Sequence, residues 1–284
     1  MPFSYLVIFL GVLSVSGASI LVKLSTAEPL VIAFYRLAFS VALLAVPLLW
    51  RKQERIPIRD RWLSIASGLL LATHFAAWFF SLRLTSIASS TILVSTHPFA
   101  VLVVNYITRG ERPGGAPLAG VLLSVVGVGL VGWGDFGLDS RALLGDLLAL
   151  VGAVTVSGYL LIGREVRKQV GAVAYSTMTY ASASVALLLT ALAWGSPLSG
   201  FEPINWWIFL ALAVFPTLFG HTLFNWALKY VPAAVVSVNI LGEPIGASLL
   251  AWLIWRTAPG GLSLIGALLV LVGVGLFIRF HRGD

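Results

Sequence analysis

Ten apolar stretches, each long enough to cross a lipid bilayer as a helix, take up almost the whole chain. They cover residues 3–23, 28–50, 62–82, 86–108, 115–133, 143–163, 172–194, 205–227, 231–254 and 260–280. A helix of about 20 mostly apolar residues spans the hydrocarbon core of a bilayer. The longest connection runs only from Arg51 to Arg61, which leaves no room for a soluble domain. The sequence therefore predicts an all-α integral membrane protein with ten transmembrane helices.

The composition excludes several functional classes. Apolar residues make up 59% of the chain and charged residues 10%, which is far from the usage of soluble domains. Cysteine is absent, so disulfides, thiol nucleophiles and thiolate metal sites are excluded. The phosphate-binding motif of ATP-hydrolysing proteins is also missing. We expect no metal, no cofactor and no enzymatic activity, because an intramembrane enzyme would need a nucleophile with a base or a cluster of acidic ligands.

The basic residues favour an orientation with both chain ends in the cytoplasm. If the N-terminus is inside, the outer loops hold only Lys23, Arg83, Arg141 and Arg256. Cytoplasmic segments of membrane proteins are enriched in Lys and Arg. The net charge of +7 is therefore a topology signal, and no nucleic-acid partner is expected. The thirteen basic residues of the inner segments are Arg51, Lys52, Arg55, Arg59, Arg61, Arg109, Arg112, Arg164, Arg167, Lys168, Lys229, Arg279 and Arg282.

The chain contains an internal repeat. An offset of 146 residues aligns Leu82–Leu130 with Leu228–Leu276 without a gap and gives 15 identities in 49 positions, most of them in the glycine-rich ends. A weaker match pairs residues 15–17 with residues 156–158, both Val-Ser-Gly. The sequence predicts two halves, 1–140 and 141–284, of five helices each. Because five is odd, the halves must be inverted copies, an arrangement that secondary transporters use to place substrate near the membrane midplane.

Several segments carry a resemblance to a known family. They are residues 34–39 (Phe-Tyr-Arg-Leu-Ala-Phe), 97–98 (His-Pro), 110–112 (Gly-Glu-Arg), 231–234 (Val-Pro-Ala-Ala) and 243–244 (Glu-Pro). The chain resembles the drug/metabolite transporter superfamily, specifically the ten-helix EamA-type exporters, over almost its whole length. Within that family it looks most similar to the aromatic amino-acid exporters of the YddG type. One departure is that Thr257 stands at the position aligned with the loop residue Glu111, which argues against a symmetric role for that carboxylate.

Two charged side chains lie deep inside predicted helices. Glu243 is about twelve residues into the ninth helix, and Arg36 lies inside the second. An ionised group at such a depth costs about 2.5–3.5 kcal/mol on insertion scales, so it should face protein or water. Glu243 is a candidate for holding a substrate amine or taking up a proton, and the alternative is a buried structural carboxylate. Arg36 is a candidate for binding a carboxylate, and the alternative is a structural bond to Glu243 or to backbone carbonyls.

His97 lies at the position of the first half that aligns with Glu243, and a proline follows each of them. It is a candidate proton carrier or hydrogen-bond donor, or else a neutral histidine that bridges two helices. A proline removes a backbone donor, so we expect free carbonyls near Leu93 and Asn239. The predicted helix-break and hinge residues are Pro98, Pro244 and Gly242.

Further polar and aromatic residues interrupt the aliphatic runs and are candidates for a cavity wall. Packing or hydrogen bonding between helices is the alternative for each of them. His221 and Asn225 are four residues apart and should share a helix face. The remaining candidates for substrate contact are Trp78, Tyr35, Tyr180, Tyr159, His74, Asn239 and Ser16.

The residues and the resemblance together predict a secondary transporter or facilitator that exports aromatic and other bulky amino acids by alternating access. The expected setting is the cytoplasmic (inner) membrane of a bacterium, where a multi-pass monomer acts in the lipid bilayer on a small-molecule substrate. The alternatives are the same fold carrying a nucleotide-sugar, a sugar phosphate or a drug-like solute, and, from another class, a membrane-embedded enzyme. An anionic sugar ligand would want several basic residues at the midplane, where the sequence places only Arg36.

Overall fold

The structure is a computed structural model that describes residues 2–49, 55–85, 87–110, 114–131, 140–255 and 261–280. All the regular elements in these ranges are helical. The first half contains α1 (Pro2–Val15), α2 (Ala18–Leu24), α3 (Pro29–Leu49), α4 (Ile58–Leu84), α5 (Ile87–Val94), α6 (His97–Arg109) and α7 (Gly115–Val131). The second half contains α8 (Ser140–Val166), α9 (Ala172–Trp194), α10 (Pro203–Leu212), a π-helix (Ala213–His221), α11 (Thr222–Ala227), α12 (Ala233–Ile240), α13 (Glu243–Trp255) and α14 (Gly261–Phe280).

Seven helical stretches of the described residues are long and apolar enough to cross a membrane, so the prediction of a helical membrane protein is confirmed. Three shorter apolar helices fall within the other three predicted spans. The number of ten spans therefore stays a prediction. The seven stretches are Phe3–Leu24, Pro29–Val46, Ile58–Leu84, Ser140–Val166, Ala172–Trp194, Pro203–Ala227 and Ala233–Ile254, and the shorter helices are His97–Thr108, Gly115–Gly127 and Leu264–Phe280.

Some residues used in the sequence analysis lie outside the described ranges. The loop residue Glu111 and its aligned partner Thr257 are two of them. The others are the basic residues Arg51, Lys52, Arg112, Arg256 and Arg282.

Two predicted spans are interrupted at equivalent places. α5 ends before a turn at residues 95–96 and α12 before a turn at residues 241–242, and α6 and α13 then begin. Pro98 and Pro244 are the second residues of the new helices, where a backbone N–H has no helical partner and proline costs nothing in hydrogen bonding. Each proline therefore lies at the start of a helix instead of inside one.

The expectation of free carbonyls at these interruptions is wrong. The carbonyl of Leu93 accepts hydrogen bonds from the backbone N–H (3.1 Å) and the hydroxyl (2.7 Å) of Thr96. The carbonyl of Asn239 accepts one from the N–H of Gly242 at 3.0 Å. The reason is that the chain makes a tight turn here, and the turn supplies the donors that a kinked continuous helix would have lost.

Two irregularities in the other spans were not predicted. The first span bends at Ser16 and Gly17, between α1 and α2, without any proline. Ser16 is in close contact with α13, since a Cβ atom on Gly246 would lie 2.1 Å from the Ser16 hydroxyl. The second irregularity is the π-helix, which contains Pro216. Proline cannot donate the usual bond within an α-helix, and a wider turn accommodates that loss.

The glycine-rich helices α7 and α14 pack against each other in antiparallel fashion. A Cβ atom on Gly120 would lie 2.6 Å from the carbonyl oxygen of Gly273, and one on Gly127 would lie 2.5 Å from that of Gly266. Only glycine permits this approach of the two backbones. In the repeat, Gly120 aligns with Gly266 and Gly127 aligns with Gly273. Replacing each residue by its aligned counterpart therefore turns the Gly120–Gly273 contact into the Gly127–Gly266 contact. A local two-fold axis requires this exchange, whereas inversion of the complete halves stays a prediction.

The protein core lies where the long helices of the two halves meet. α4 packs along α8 and α9, α3 packs on α9, and α1 crosses the π-helix. Arg36 of α3 is completely buried at this junction. The packing therefore places Arg36 among helices from both parts of the chain.

Candidate functional site

A narrow cavity lies at the junction and brings together five of the predicted site residues, Arg36, Glu243, His97, His74 and Trp78. Its volume is about 40 Å³. A buried water needs roughly 10–15 Å³ by the same measure, so the cavity holds a few waters and must widen to admit a metabolite. The other lining residues are Val15, Ala18, Val94, Ser95, Val156, His221, Phe224 and Ile240.

Arg36 is anchored on one side and unpaired on the other. Its Nε donates to the hydroxyl of Thr217 on the π-helix at 2.7 Å, and its guanidinium carbon lies 4.1 Å from the ring centre of Phe75. Both terminal nitrogens, Nη1 and Nη2, lack hydrogen-bond partners in the described part of the chain. Leaving a buried guanidinium unpaired is costly. The side chain is therefore set to accept a ligand that brings hydrogen-bond acceptors.

Glu243 is the carboxylate of the cavity and the first residue of α13. Its side chain is half-buried. A negative charge at a helix N-terminus is stabilised by the unpaired backbone N–H groups and the helix dipole. The cavity thus combines one guanidinium and one carboxyl group, carried by α3 and α13.

His97 bridges two helices. Its Nδ1 lies 3.1 Å from the carbonyl oxygen of Val94 and its Nε2 lies 3.2 Å from that of Ser237. A neutral imidazole carries one N–H and can donate only one of these bonds, whereas an imidazolium donates both. His97 consequently connects the two interrupted spans, and protonation would strengthen the connection.

Three further side chains of the cavity offer nitrogen atoms. His74 donates from Nδ1 to the carbonyl of Gly152 at 2.9 Å and stacks on Trp78, with ring centres 5.8 Å apart. Trp78 Nε1 and His221 Nδ1 have no hydrogen-bond partner among the described residues. Of the pair expected to share a helix face, His221 lines the cavity while Asn225 is not among its lining residues.

Tyr159 and Tyr180 lie beside the cavity in a separate polar network. Tyr159 donates to the side-chain oxygen of Asn225 at 2.6 Å, and the amide nitrogen of Asn225 donates to Ser176 at 3.0 Å. The hydroxyls of Tyr180 and Thr222 are 3.1 Å apart. These bonds tie α8, α9 and α11 together, so both tyrosines join helices and do not line the cavity itself.

The structure places Tyr35, Asn239 and Ser16 away from the lining of the cavity. Tyr35 donates to the carbonyl of Leu198 at 2.7 Å and stacks on an aromatic side chain of α10. Asn239 donates to the carbonyl of Val235 at 2.8 Å within its own helix. Ser16 donates to the carbonyl of Val12 at 2.8 Å at the bend of the first span.

Sequence reasoning missed Thr217 and Phe75, the two residues that hold Arg36. Phe75 had no signal, because it is one of many aromatic residues in an apolar run. For Thr217 a signal was available: the preceding Pro216 interrupts a predicted span, and prolines inside helices mark local irregularity. The same signal would have predicted the π-helix.

A second, larger opening of about 540 Å³ lies between α1, α2, the π-helix and α13. Its lining is apolar apart from Ser14, whose hydroxyl already donates to the carbonyl of Leu10. The exposed side chains around it are those of a lipid-facing surface. We call it the lateral groove. Within the described ranges, no group of three or more His, Asp or Glu side chains could hold a metal ion.

Comparison with known proteins gives the family. A transporter of Archaeoglobus fulgidus named as uncharacterized is 25% identical over 96% of both chains. The pseudopaline exporter CntI of Pseudomonas aeruginosa is 23% identical, over 77% of this chain and 75% of its own length. A solved crystal structure superposes with a TM-score of 0.81 at 20% identity and covers 99% of this chain and 100% of its own, which shows the fold alone.

The family match extends over both halves. The EamA-like transporter family matches residues 2–133 and again residues 143–279. The names of the family and of these relatives denote transporters, and none denotes an enzyme. These two matches lead to one conclusion: the chain belongs to the EamA-like transporter family, within the drug/metabolite transporter superfamily.

Proposed function

We propose that this protein is a secondary transporter that exports amino acids, including aromatic and other bulky ones, through the narrow cavity between its halves. The observation that carries the proposal is the pairing of Arg36, with two free nitrogens, and Glu243 in the same buried cavity. An amino acid presents a carboxylate and an ammonium group. The guanidinium can bind the carboxylate through two parallel hydrogen bonds, and the glutamate can bind the ammonium group.

The remainder of the cavity wall suits a bulky side chain. Trp78, Phe224, Val156 and Ile240 supply apolar surface around the charged pair. Small-molecule sites usually combine such surface with a few placed polar groups. A nucleotide-sugar or sugar phosphate fits less well, because Arg36 is the only arginine or lysine that lines the cavity in the described part of the chain.

The proposed mechanism is alternating access between inverted halves, 1–140 and 141–284. A volume of about 40 Å³ is too small for an amino acid, so the halves must separate on one membrane face before substrate enters. The two matches of the same family on either side of residue 140 support the division, and the antiparallel pair α7 and α14 supports the inversion. The basic residues favour cytoplasmic termini in the inner membrane of a bacterium, and the relative named as an exporter supports outward transport.

Counterflow of radiolabelled phenylalanine and leucine in proteoliposomes tests this proposal. Arg36→Gln and Glu243→Gln should each lower kcat/KM by about 30-fold or more, since each leaves a buried charge of the substrate without its partner. The control is Tyr35→Phe, which removes a partly buried hydroxyl that does not line the cavity and should leave transport unchanged. Flux at the level of empty liposomes for the wild-type protein, or equal flux in all four proteins, would contradict the proposal.

A further inference from the structure

We propose that Thr217 is a positioning residue that orients the Arg36 guanidinium and thereby makes the cavity selective for ligands that carry a carboxylate. The inference rests on the proposed transport function for its class of substrate. Thr217 acts through Arg36 and lies on the π-helix. The equivalent helix of the first half, α4, has no π-helical segment.

The first argument is the geometry around Arg36. Its Nε–H is committed to the Thr217 hydroxyl at 2.7 Å, and the ring of Phe75 supports one face of the guanidinium. A carboxylate can approach a guanidinium through Nε and one terminal nitrogen, or through the two terminal nitrogens. Thr217 blocks the first approach, so the pair Nη1 and Nη2 is left for the ligand.

The second argument is the way in which the π-helix holds Thr217. The Thr217 hydroxyl donates to the carbonyl of Leu212 at 2.8 Å, five residues earlier, where an α-helical threonine would reach back three or four. With its proton used in this way, the hydroxyl oxygen faces Arg36 as an acceptor only. The wider turn around Pro216 therefore fixes both the position and the polarity of the contact.

The third argument is that the unpaired groups of the cavity are mainly donors. Trp78 Nε1 is a donor without a partner in the described residues, like the two terminal nitrogens of Arg36. His221 Nδ1 is also unpaired and comes from the end of the same π-helix. Buried donors of this number require acceptors from the ligand, and a carboxylate provides two oxygens.

The repeat shows that this contact is specific to one half. Extending the offset of 146 by eleven residues before the aligned stretch places Thr217 opposite Leu71 of α4, which is fully buried in the apolar core. α4 is α-helical from Ile58 to Leu84 and has no π-turn. The hydroxyl is therefore not a packing feature that both halves share. Its partner Arg36 is replaced by Tyr180 when residues 40–44 are aligned with residues 184–188, both Ser-Val-Ala-Leu-Leu.

The test compares three probes that share one phenyl ring. Phenylalanine carries both charged groups, hydrocinnamate only the carboxylate, and phenethylamine only the ammonium group. Binding is measured by calorimetry on detergent-solubilised protein for the wild type, Thr217→Val, which keeps the shape but loses the hydroxyl, and Thr217→Ser, which keeps the hydroxyl. Thr190→Val is the control, because Thr190 is exposed and bonds only within its own helix.

In Thr217→Val the two carboxylate probes should bind about tenfold more weakly, as expected for losing one hydrogen bond to a charged group. Phenethylamine should bind as it does to the wild type, and Thr217→Ser should restore the carboxylate affinity. Equal weakening of all three probes, equal effects of Val and Ser, or a wild type that binds neither carboxylate probe would each overturn the inference.

The outcomes also separate this inference from the proposed function. Carboxylate binding that depends on Thr217, without amino-acid flux in proteoliposomes, would remove the export proposal and keep the positioning role. Amino-acid flux with an unchanged carboxylate preference in Thr217→Val would keep the export proposal and remove the positioning role of Thr217.

Discussion

Two helix contacts occupy corresponding places in the repeat but are packed differently. They are the contact of α4 with α8 and the contact of α1 with the π-helix. In the first, Cβ atoms on Gly145 and Gly158 would meet neighbouring atoms at 2.9 Å and 2.8 Å. In the second, Gly17, the counterpart of Gly158, has only one side chain near it, at 3.8 Å, and the lateral groove opens beside it. The contact of α4 with α8 is therefore closely packed along its length, whereas the contact of α1 with the π-helix is closely packed over only part of its length.

The crossing points themselves also differ. His74 donates to the carbonyl of Gly152 in the first contact, and the corresponding positions of the second are Gly220 and Gly11. A Cβ atom on Gly220 would lie 2.5 Å from the side chain of Val15. A hydrogen bond fixes the first crossing, whereas the second has glycines in place of that bond, which allow close approach of the backbones. We infer that α4 and α8 form the stiff contact and that α1 and the π-helix form the adjustable one.

We expect the largest effect on transport from cross-linking each of the two contacts separately. The chain has no cysteine, so the pairs Val15→Cys/Gly220→Cys and Leu70→Cys/Gly158→Cys can each be joined by a short thiol reagent without background. Joining α1 to the π-helix should reduce transport to the level of empty liposomes, because the adjustable contact is then fixed. Joining α4 to α8 should leave transport close to that of the untreated double variant. Equal loss in both pairs would show that the two contacts move alike.

Two cations at corresponding positions of the repeat sharpen the comparison. Lys23 donates to the carbonyl of Leu82 at 3.1 Å, and Arg164 donates to that of Leu228 at 2.5 Å, positions that correspond through the two offsets of the repeat. Arg164→Gln should cost about 1.5 kcal/mol, since it removes a partly buried charged hydrogen bond. Lys23→Gln should cost about 0.5 kcal/mol because Lys23 is exposed. Thermal unfolding in detergent measures both, and a larger loss for Lys23→Gln would contradict the expected order of the two hydrogen bonds.

The smallest effects are expected at the two corresponding glycines. Gly158→Ala should destabilise the protein by about 1 kcal/mol, because the new methyl group displaces the side-chain end of Leu70. Gly17→Ala should stabilise it by about 0.5 kcal/mol, since Gly17 has right-handed helical angles and a Cβ there would make only an ordinary contact at 3.8 Å. The measurement is again the unfolding midpoint, and opposite signs for the two variants are the expected result.

The sequence was sufficient for the features that depend on composition and spacing. Apolar length located the spans, and Glu243, Arg36 and His97 stood out because charged or polar groups are costly in apolar helices. The bend at Ser16 and Gly17 had no such signal, since small residues are common in straight membrane helices. It lies where α13 approaches closely, which is a tertiary contact.

Tyr35 shows the limit of reasoning from residue type. It precedes Arg36 in the chain, but helical geometry turns its side chain away toward α10, where it stacks on Phe209 at 5.1 Å. Thr217 shows the converse case, a common residue made important by its neighbours. In both cases the decisive information is which helix lies opposite, and the sequence of one helix does not contain it.

The antiparallel pair of α7 and α14 has a consequence for the order of synthesis. Gly120 and Gly273 are about 150 residues apart, and their helices bury their glycine faces only against each other. At about 5–20 residues per second, α7 waits roughly 8–30 s in the bilayer before its partner leaves the ribosome. During that interval its flat glycine surface can be covered only by lipid or by another protein. Packing of α7 is therefore completed only after α14 has been made.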